Sequence, residues 1–323
     1  MPATLDTFDP AIQTENIGFS SDELISCSAC HRQNAPNRID CIYCGAALEA
    51  RHDVIDTIKL RKLESWEPGT SIIVNGGTGD ISKAAELLSL VRDRLEEIVS
   101  AGVALPVAWV DDKAAGVLTR KLEELGFMCS AIADAELALT KPPVRLAGMQ
   151  IGDGDLTLVD LNTRAEYRHS WAELVLIVTG VFATGSIDST EKRRLRKTTV
   201  MNDTTISADE PVFDLYTADC ATGYRVQLAG FDYSCLSDRM APLATENMSG
   251  LIDLLHLRAP QLKPINKYKS IRHLLTGIWD IDSRKDPKGL QQVGVGKREF
   301  GVVHSTNNAR QFTRFSRLQR SML

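Results

Sequence analysis

From Ser71 to Ile132 the apolar positions switch between short runs and 3–4 spacing, and each switch predicts an element. Ser71-Ile72-Ile73-Val74 reads as a strand. Ile81, Ala84, Leu88, Val91, Leu95 and Ile98 then recur on one helical face. Leu105–Val110 is a second strand. Ala115, Leu118, Leu122 and Leu125 mark a second helix from about Asp112, which Gly126 ends as the residue after the cap. Phe127–Ile132 returns as a third strand. Residues 70–135 therefore form a small β-α-β-α-β module. The turn Asn75-Gly76-Gly77-Thr78-Gly79-Asp80 sits where a phosphate could be cradled. Its glycines match no dinucleotide or P-loop pattern, and Asp80 reads as a helix N-cap.

Lys141-Pro142-Pro143 marks a boundary, after which strands and turns follow at short intervals. Strands are expected near Val144–Ile151, Leu156–Leu161, Ala165–Trp171, Leu174–Phe182, Val212–Thr217, Tyr224–Leu228 and Phe231–Leu236. Thr245 is expected to cap a helix carrying Met248, Leu251, Ile252, Leu254 and Leu255 as far as Pro260. A polar loop lies between the fourth and fifth strands and holds Lys192, Arg193, Arg194, Arg196 and Lys197. It reads as a solvated loop or as an anion site. A further helix is expected from Asn266 to Trp279. Beyond it, Arg310, Arg314, Arg317 and Arg320 recur at 4-3-3 spacing beside Phe312, Phe315 and Leu318. As a helix this tail could grip an anionic surface, or dock on its own domain or on the N-terminal arm.

The resulting fold class is α+β and multidomain. We delimit an acidic arm (1–24), a cysteine-bearing segment (25–48), a linker (49–69) with a short helix from Val54 to Leu63, the small module (70–135), an antiparallel strand-rich sandwich or barrel closed by a helix (143–260), a helix (261–283) and a basic tail (284–323). Composition adds little: 43% apolar, 24% charged and a net charge of −5 describe an ordinary globular chain, not a basic nucleic-acid binder. The charge is unevenly spread. Asp6, Asp9, Glu15, Asp22 and Glu23 lie in a stretch without Lys or Arg, whereas the tail from Arg284 holds only Asp286 and Glu299 as acids. No secretory signal or bilayer-length apolar run is visible, so a cytoplasmic setting is expected.

In a reducing setting, paired cysteines point to a metal more readily than to disulfides. Cys27, Cys30, Cys41 and Cys44 form C-x2-C-x10-C-x2-C. Two knuckles of this kind would close a tetrahedral zinc site without an open position, which makes the metal structural. A segment this short cannot bury a core, so the metal would supply most of its folding free energy. Cys129, Cys220 and Cys235 read as small buried hydrophobes. The six histidines form no pair at ligand spacing, and no nucleophile elbow, zincin helix or kinase set is present.

With Asn34, Arg38, Gly45 and Leu48, the cysteine segment resembles the short zinc ribbons of bacterial proteins. It is also similar in spacing to the finger family named after the Ran-binding nucleoporin, whose members bind single-stranded RNA or ubiquitin. That family carries a Trp two residues before the first Cys, where this chain has Ile25. Residues 70–133, chiefly Ile98–Ile132 with Lys121-Leu122-Glu123-Glu124-Leu125-Gly126, resemble the C-terminal domain of the ribosomal stalk protein and, more distantly, the adaptor that feeds bacterial proteases. Residues 143–260 resemble the pleckstrin-homology-like superfold in element order. Each resemblance implies binding without catalysis. The expected function is a zinc-binding adaptor or scaffold acting on a protein partner. The alternatives are an RNA- or anionic-membrane-surface binder using the basic segments, and an enzyme whose site is assembled from distant residues.

Overall fold

The computed structural model describes residues 24–35, 38, 40–48, 62–64, 67–194, 197–294 and 297–323, and within 187–207 and 290–300 the backbone alone. Residues 1–23 of the expected acidic arm, 54–61 of the expected linker helix, and Arg196 lie outside the described residues. The chain divides into two compact units, Met1–Leu60 and Arg61–Leu323.

In the first unit, β1 (Ile25–Ser26) pairs antiparallel with β2 (Gln33–Asn34), and Asp40 bridges Ala47. Its buried cluster is Cys27, Cys41 and Leu48, with Cys30 and Ala46 beside it. That is far too little apolar surface to offset the entropy of ordering the segment.

The second unit opens with β3 (Thr70–Gly77), α1 (Ile81–Leu88), α2 (Arg92–Ser100), β4 (Pro106–Val110), α3 (Asp112–Glu124) and β5 (Phe127–Ala133). The strands form an antiparallel sheet ordered β4-β3-β5. Ile72, Ile73, Leu95, Val107, Leu118 and Leu122 are buried in this module. Asp80 caps α1, its Oδ1 accepting from the N–H groups of Ser82 and Lys83 at 3.0 and 3.2 Å. The single helix expected over Ile81–Ile98 is two. Ser89 adopts φ 53°, and the Leu90 N–H closes back on the Ala85 carbonyl, which ends α1 in a left-handed cap.

The larger sheet contains β6 (Val144–Ile151), β7 (Asp155–Asp160), β8 (Glu166–Ser170), β9 (Leu174–Arg194), β10 (Lys197–Thr217), β11 (Tyr224–Gln227), β12 (Lys263–Ile265), β13 (Asp282–Gly294) and β14 (Lys297–Asn307). Its order is β13-β14-β9-β10-β11-β6-β7-β8, with β12 also beside β9. It is mixed and not purely antiparallel, because β11 runs parallel to β6 and β12 parallel to β9. Helix α4 (Ala244–Arg258) presses Met248, Leu251 and Leu255 onto Leu156, Leu158, Phe213 and Val226.

Several elements differ from those the sequence predicts. The polar loop is a hairpin: β9 and β10 are each 21 residues long and pair from Lys197↔Arg194 down to the core. The glycine-broken start of the tail is a second hairpin, β13–β14, which pairs with β9. Phe231–Leu236 is no strand; Ser234–Arg239 winds as a 3-10 turn. The helix expected over Asn266–Trp279 is only the short α5 (Tyr268–Ile271) followed by a 3-10 turn at Arg272–Leu275. In addition, α4 starts after Leu243, not at a Thr245 cap.

The final element, α6 (Ala309–Ser321), is buried along most of its length. It packs against β9 where Gly180 leaves room. A Cβ on Gly180 would lie 2.4 Å from the Phe312 ring. Phe312 and Phe315 pack on Tyr268 with ring centroids 5.0 and 5.3 Å away.

Candidate metal centre

The four cysteines converge. Their sulfur atoms all lie within 4.8 Å of one another. Cys27 and Cys44 are 3.6 Å apart, and Cys30 and Cys41 3.5 Å. Metal–sulfur bonds of about 2.3 Å in a tetrahedron give edges of about 3.8 Å, so the set fits an ion at its centre. Cys27, Cys30, Cys41 and Cys44 can therefore hold a metal ion, and the donor set of soft thiolates is compatible with zinc.

The local sequence explains the convergence. In the first knuckle the His31 N–H donates to the Cys27 carbonyl, and the Cys27 N–H to the Arg32 carbonyl. In the second, the Gly45 N–H donates to the Cys41 carbonyl, and the Cys41 N–H to the Ala46 carbonyl. The two turns are the same structure. The strand-like pair flanking the first is Ser26↔Gln33, and the one flanking the second is Asp40↔Ala47. Each turn needs a left-handed residue after its second cysteine. Gly45 supplies φ 73° without cost, while His31 supplies φ 56° despite its Cβ.

Asn34 joins the knuckles. It is 1% exposed, accepts from the Ile42 N–H at 2.9 Å, and donates to the Arg32 carbonyl and to Cys41 Sγ at 2.9 and 3.5 Å. The Tyr43 N–H also donates to Cys41 Sγ, at 3.4 Å. Burial alone would raise the Cys41 thiol, but the N–H donors from Tyr43 and Cys44 outweigh it and bring it down to about 6. At Cys44 the Ala46 N–H favours the thiolate, yet the neighbouring thiols and burial prevail and push it up to about 12. A bound divalent ion would favour the ionised form of its thiol ligands.

The basic residues have different fates. The β9–β10 register places Lys197 opposite Arg194, Thr198 opposite Arg193 and Thr199 opposite Lys192 at one hairpin end. On α6, Arg314 and Arg317 are buried, 5% and 2% exposed. Arg314 donates to Asp134 at 2.9 Å and lies 4.1 Å from the Trp109 ring centroid. Arg317 donates to the carbonyls of Leu137, Ala138, Lys141 and Thr222. Arg320 donates to those of Thr217 and Ala218. Three of the four arginines thus anchor α6 to its own unit, and Arg310 alone of the four is exposed.

Some groups had no sequence signal. Arg225 makes a buried, bidentate pair with Asp214 at 2.7 and 2.8 Å, its guanidinium 5.3 and 5.2 Å from the ring centroids of Phe182 and Phe312. His169 links Glu173 and Tyr224 at 3.1 and 2.9 Å. Ile42 and Tyr43, between the second pair of cysteines, are each 52% exposed, and the Arg32 guanidinium lies 4.8 Å from the Tyr43 ring centroid. An aliphatic-aromatic pair inside a C-x2-C is visible in sequence, but its exposure depends on the knuckle geometry. Cys129 and Cys235 are half-buried, and burial pushes each thiol up to about 11.

No family model, no curated protein and no solved structure matches this chain. Among the described residues, no helix is long and apolar enough to cross a membrane.

Proposed function

We propose that the chain is a zinc-binding adaptor whose zinc ribbon docks a protein partner through the tip of its second knuckle. The observation that carries this reading is the exposure of Ile42 and Tyr43 on a turn held by Cys41 and Cys44. Exposed apolar side chains on a rigid turn lose little entropy on association, and Tyr and Arg are the residue types enriched at interface hot spots. Zinc here builds a surface and does no chemistry, since four thiolates leave no open position. The test is affinity capture with the zinc-loaded full chain, compared with the Ile42→Asp/Tyr43→Asp variant. The variant is expected to keep its zinc and lose the partners that the parent retains. Unchanged partners would reject the knuckle as the contact.

A second reading, binding to an RNA or anionic lipid surface, is favoured by one observation. The β9–β10 end carries Lys192, Arg193, Arg194 and Lys197, and the neighbouring β13–β14 end carries Lys297 and Arg298. Charge reversal at Lys192, Arg194 and Lys197 should then abolish a salt-sensitive affinity. Arg314, Arg317 and Arg320 are engaged inside the second unit and drop out of this reading.

A further inference from the structure

A cavity of about 330 Å3 opens beside α6, with Trp109, Arg310, Arg314, Asp280 and Asp282 among its walls. Arg310 and Arg314 stand one turn apart and share a helix face. Arg314 is fixed by Asp134 and by the Trp109 ring, and its Nε is buried without a partner. Arg310 is exposed and makes no hydrogen bond or ion pair with the described residues. The cavity wall therefore carries a held guanidinium beside an exposed one.

The opposite charge is also present. Asp280 is occupied by Lys62 and by the Gly277 N–H. Asp282 and Glu64 are further wall residues; burial lowers the Arg314 guanidinium, against the pull of Asp134 and, more weakly, of Asp282. Leu63 and Ile278, both buried, add apolar surface. A simple anion would meet Asp282 and Glu64, and a simple cation would meet Arg310 and Arg314. A molecule carrying both charges meets a complement for each, and the volume suits a small one.

We propose that this cavity binds a small zwitterion, an α-amino acid with an apolar side chain. Its carboxylate pairs with Arg310 and Arg314, its ammonium with Asp282, and its side chain rests on Leu63 and Ile278. This site is independent of the metal centre and of the adaptor reading.

The test is calorimetric titration of the full chain with L-leucine, L-methionine and L-phenylalanine. It is run beside leucinamide, which lacks the carboxylate, and 4-methylpentanoate, which lacks the ammonium. At least one amino acid should bind saturably. For L-leucine or its relatives, losing either charged group should weaken binding about 10- to 100-fold, as expected for one charge-assisted contact. Arg310→Ala should reduce the preference over the amide, and Asp282→Asn the preference over the acid. Both variants alter exposed side chains, and an unchanged thermal melt establishes that they fold. Absence of saturable binding by all three amino acids, binding of either truncated compound as tight as that of the amino acid, or full affinity in both variants would each overturn the proposal.

Discussion

Asp134 and Arg314 are 180 residues apart in the chain and 2.9 Å apart in the fold. Asp134 follows β5, and Arg314 sits in the middle of α6, so their pair ties the small module to the last helix. One carboxylate oxygen of Asp134 accepts from Gly69 N–H, Trp109 Nε1 and Arg314 together. Burial raises the Asp134 carboxyl against the pull of Arg314, so the charged pair persists only because both partners are present. Asp134→Ala should destabilise the second unit by about 3–5 kcal/mol, because it strands a buried guanidinium. The double variant Asp134→Leu/Arg314→Met should recover most of that loss. Urea unfolding followed by tryptophan fluorescence measures both, and a double variant no better than the single would refute the stranded-charge account.

Metal should account for the order of the first unit and not of the second. Cys41→Ser with Cys44→Ser is expected to release about one equivalent of zinc per chain. It should disorder residues 25–48 and leave the melting of Arg61–Leu323 unchanged. Metal analysis and calorimetry read the two outcomes separately, and a collapse of both transitions would show that the units are not independent.

The two knuckles share a turn but not a residue at its left-handed position. Gly45→Val should weaken zinc binding, since a β-branched side chain resists φ 73°. His31→Gly should keep or tighten it, because the same conformation then costs about 1 kcal/mol less. Competition with a chelator ranks the three proteins. If His31→Gly bound zinc more weakly than the parent, His31 would have a role beyond the turn.

Asp160 supplies a pH dependence with a definite sign. The N–H groups of Thr163 and Asn162 hold its carboxyl below the usual range, at 3.0 and 2.6 Å from Oδ1. Its folded value lies below its unfolded one, so its stabilisation is complete above about pH 4 and fades as the pH falls through and below that value. Asp160→Asn should therefore lose less stability than the parent between about pH 5 and pH 3. Parallel acid-unfolding curves for the two proteins would remove Asp160 as the cause.

The cysteine site was legible because its information is local: spacing alone brings two knuckles to one ion, and Cys27, Cys30, Cys41 and Cys44 do converge. The small module was legible for the same reason, since its strand runs and helix faces each bury against a neighbour in sequence. The arms were not. Beyond Phe182 the sequence of β9 turns polar, so it carries no apolar alternation to read, and only pairing with β10 and β14 makes it a strand. The 4-3-3 arginines were misleading for a related reason. Their spacing marks a helix face correctly, but what that face meets is a set of carbonyls and one carboxylate contributed from far upstream. Arginine on a face is ambiguous between water and buried backbone oxygen, and sequence offers no means to choose.

Helix α6 has a consequence for quality control. Everything it joins precedes it in the chain: Ala104 through Gln319, Asp134 through Arg314, Tyr216 through Ser316 and Tyr268 through Gln311. A chain stopped or clipped before Ala309 would hold complete sheets with their inner surfaces open, including Tyr216, Tyr268 and the buried Asp214–Arg225 pair. Such a product would expose apolar surface and be protease-sensitive.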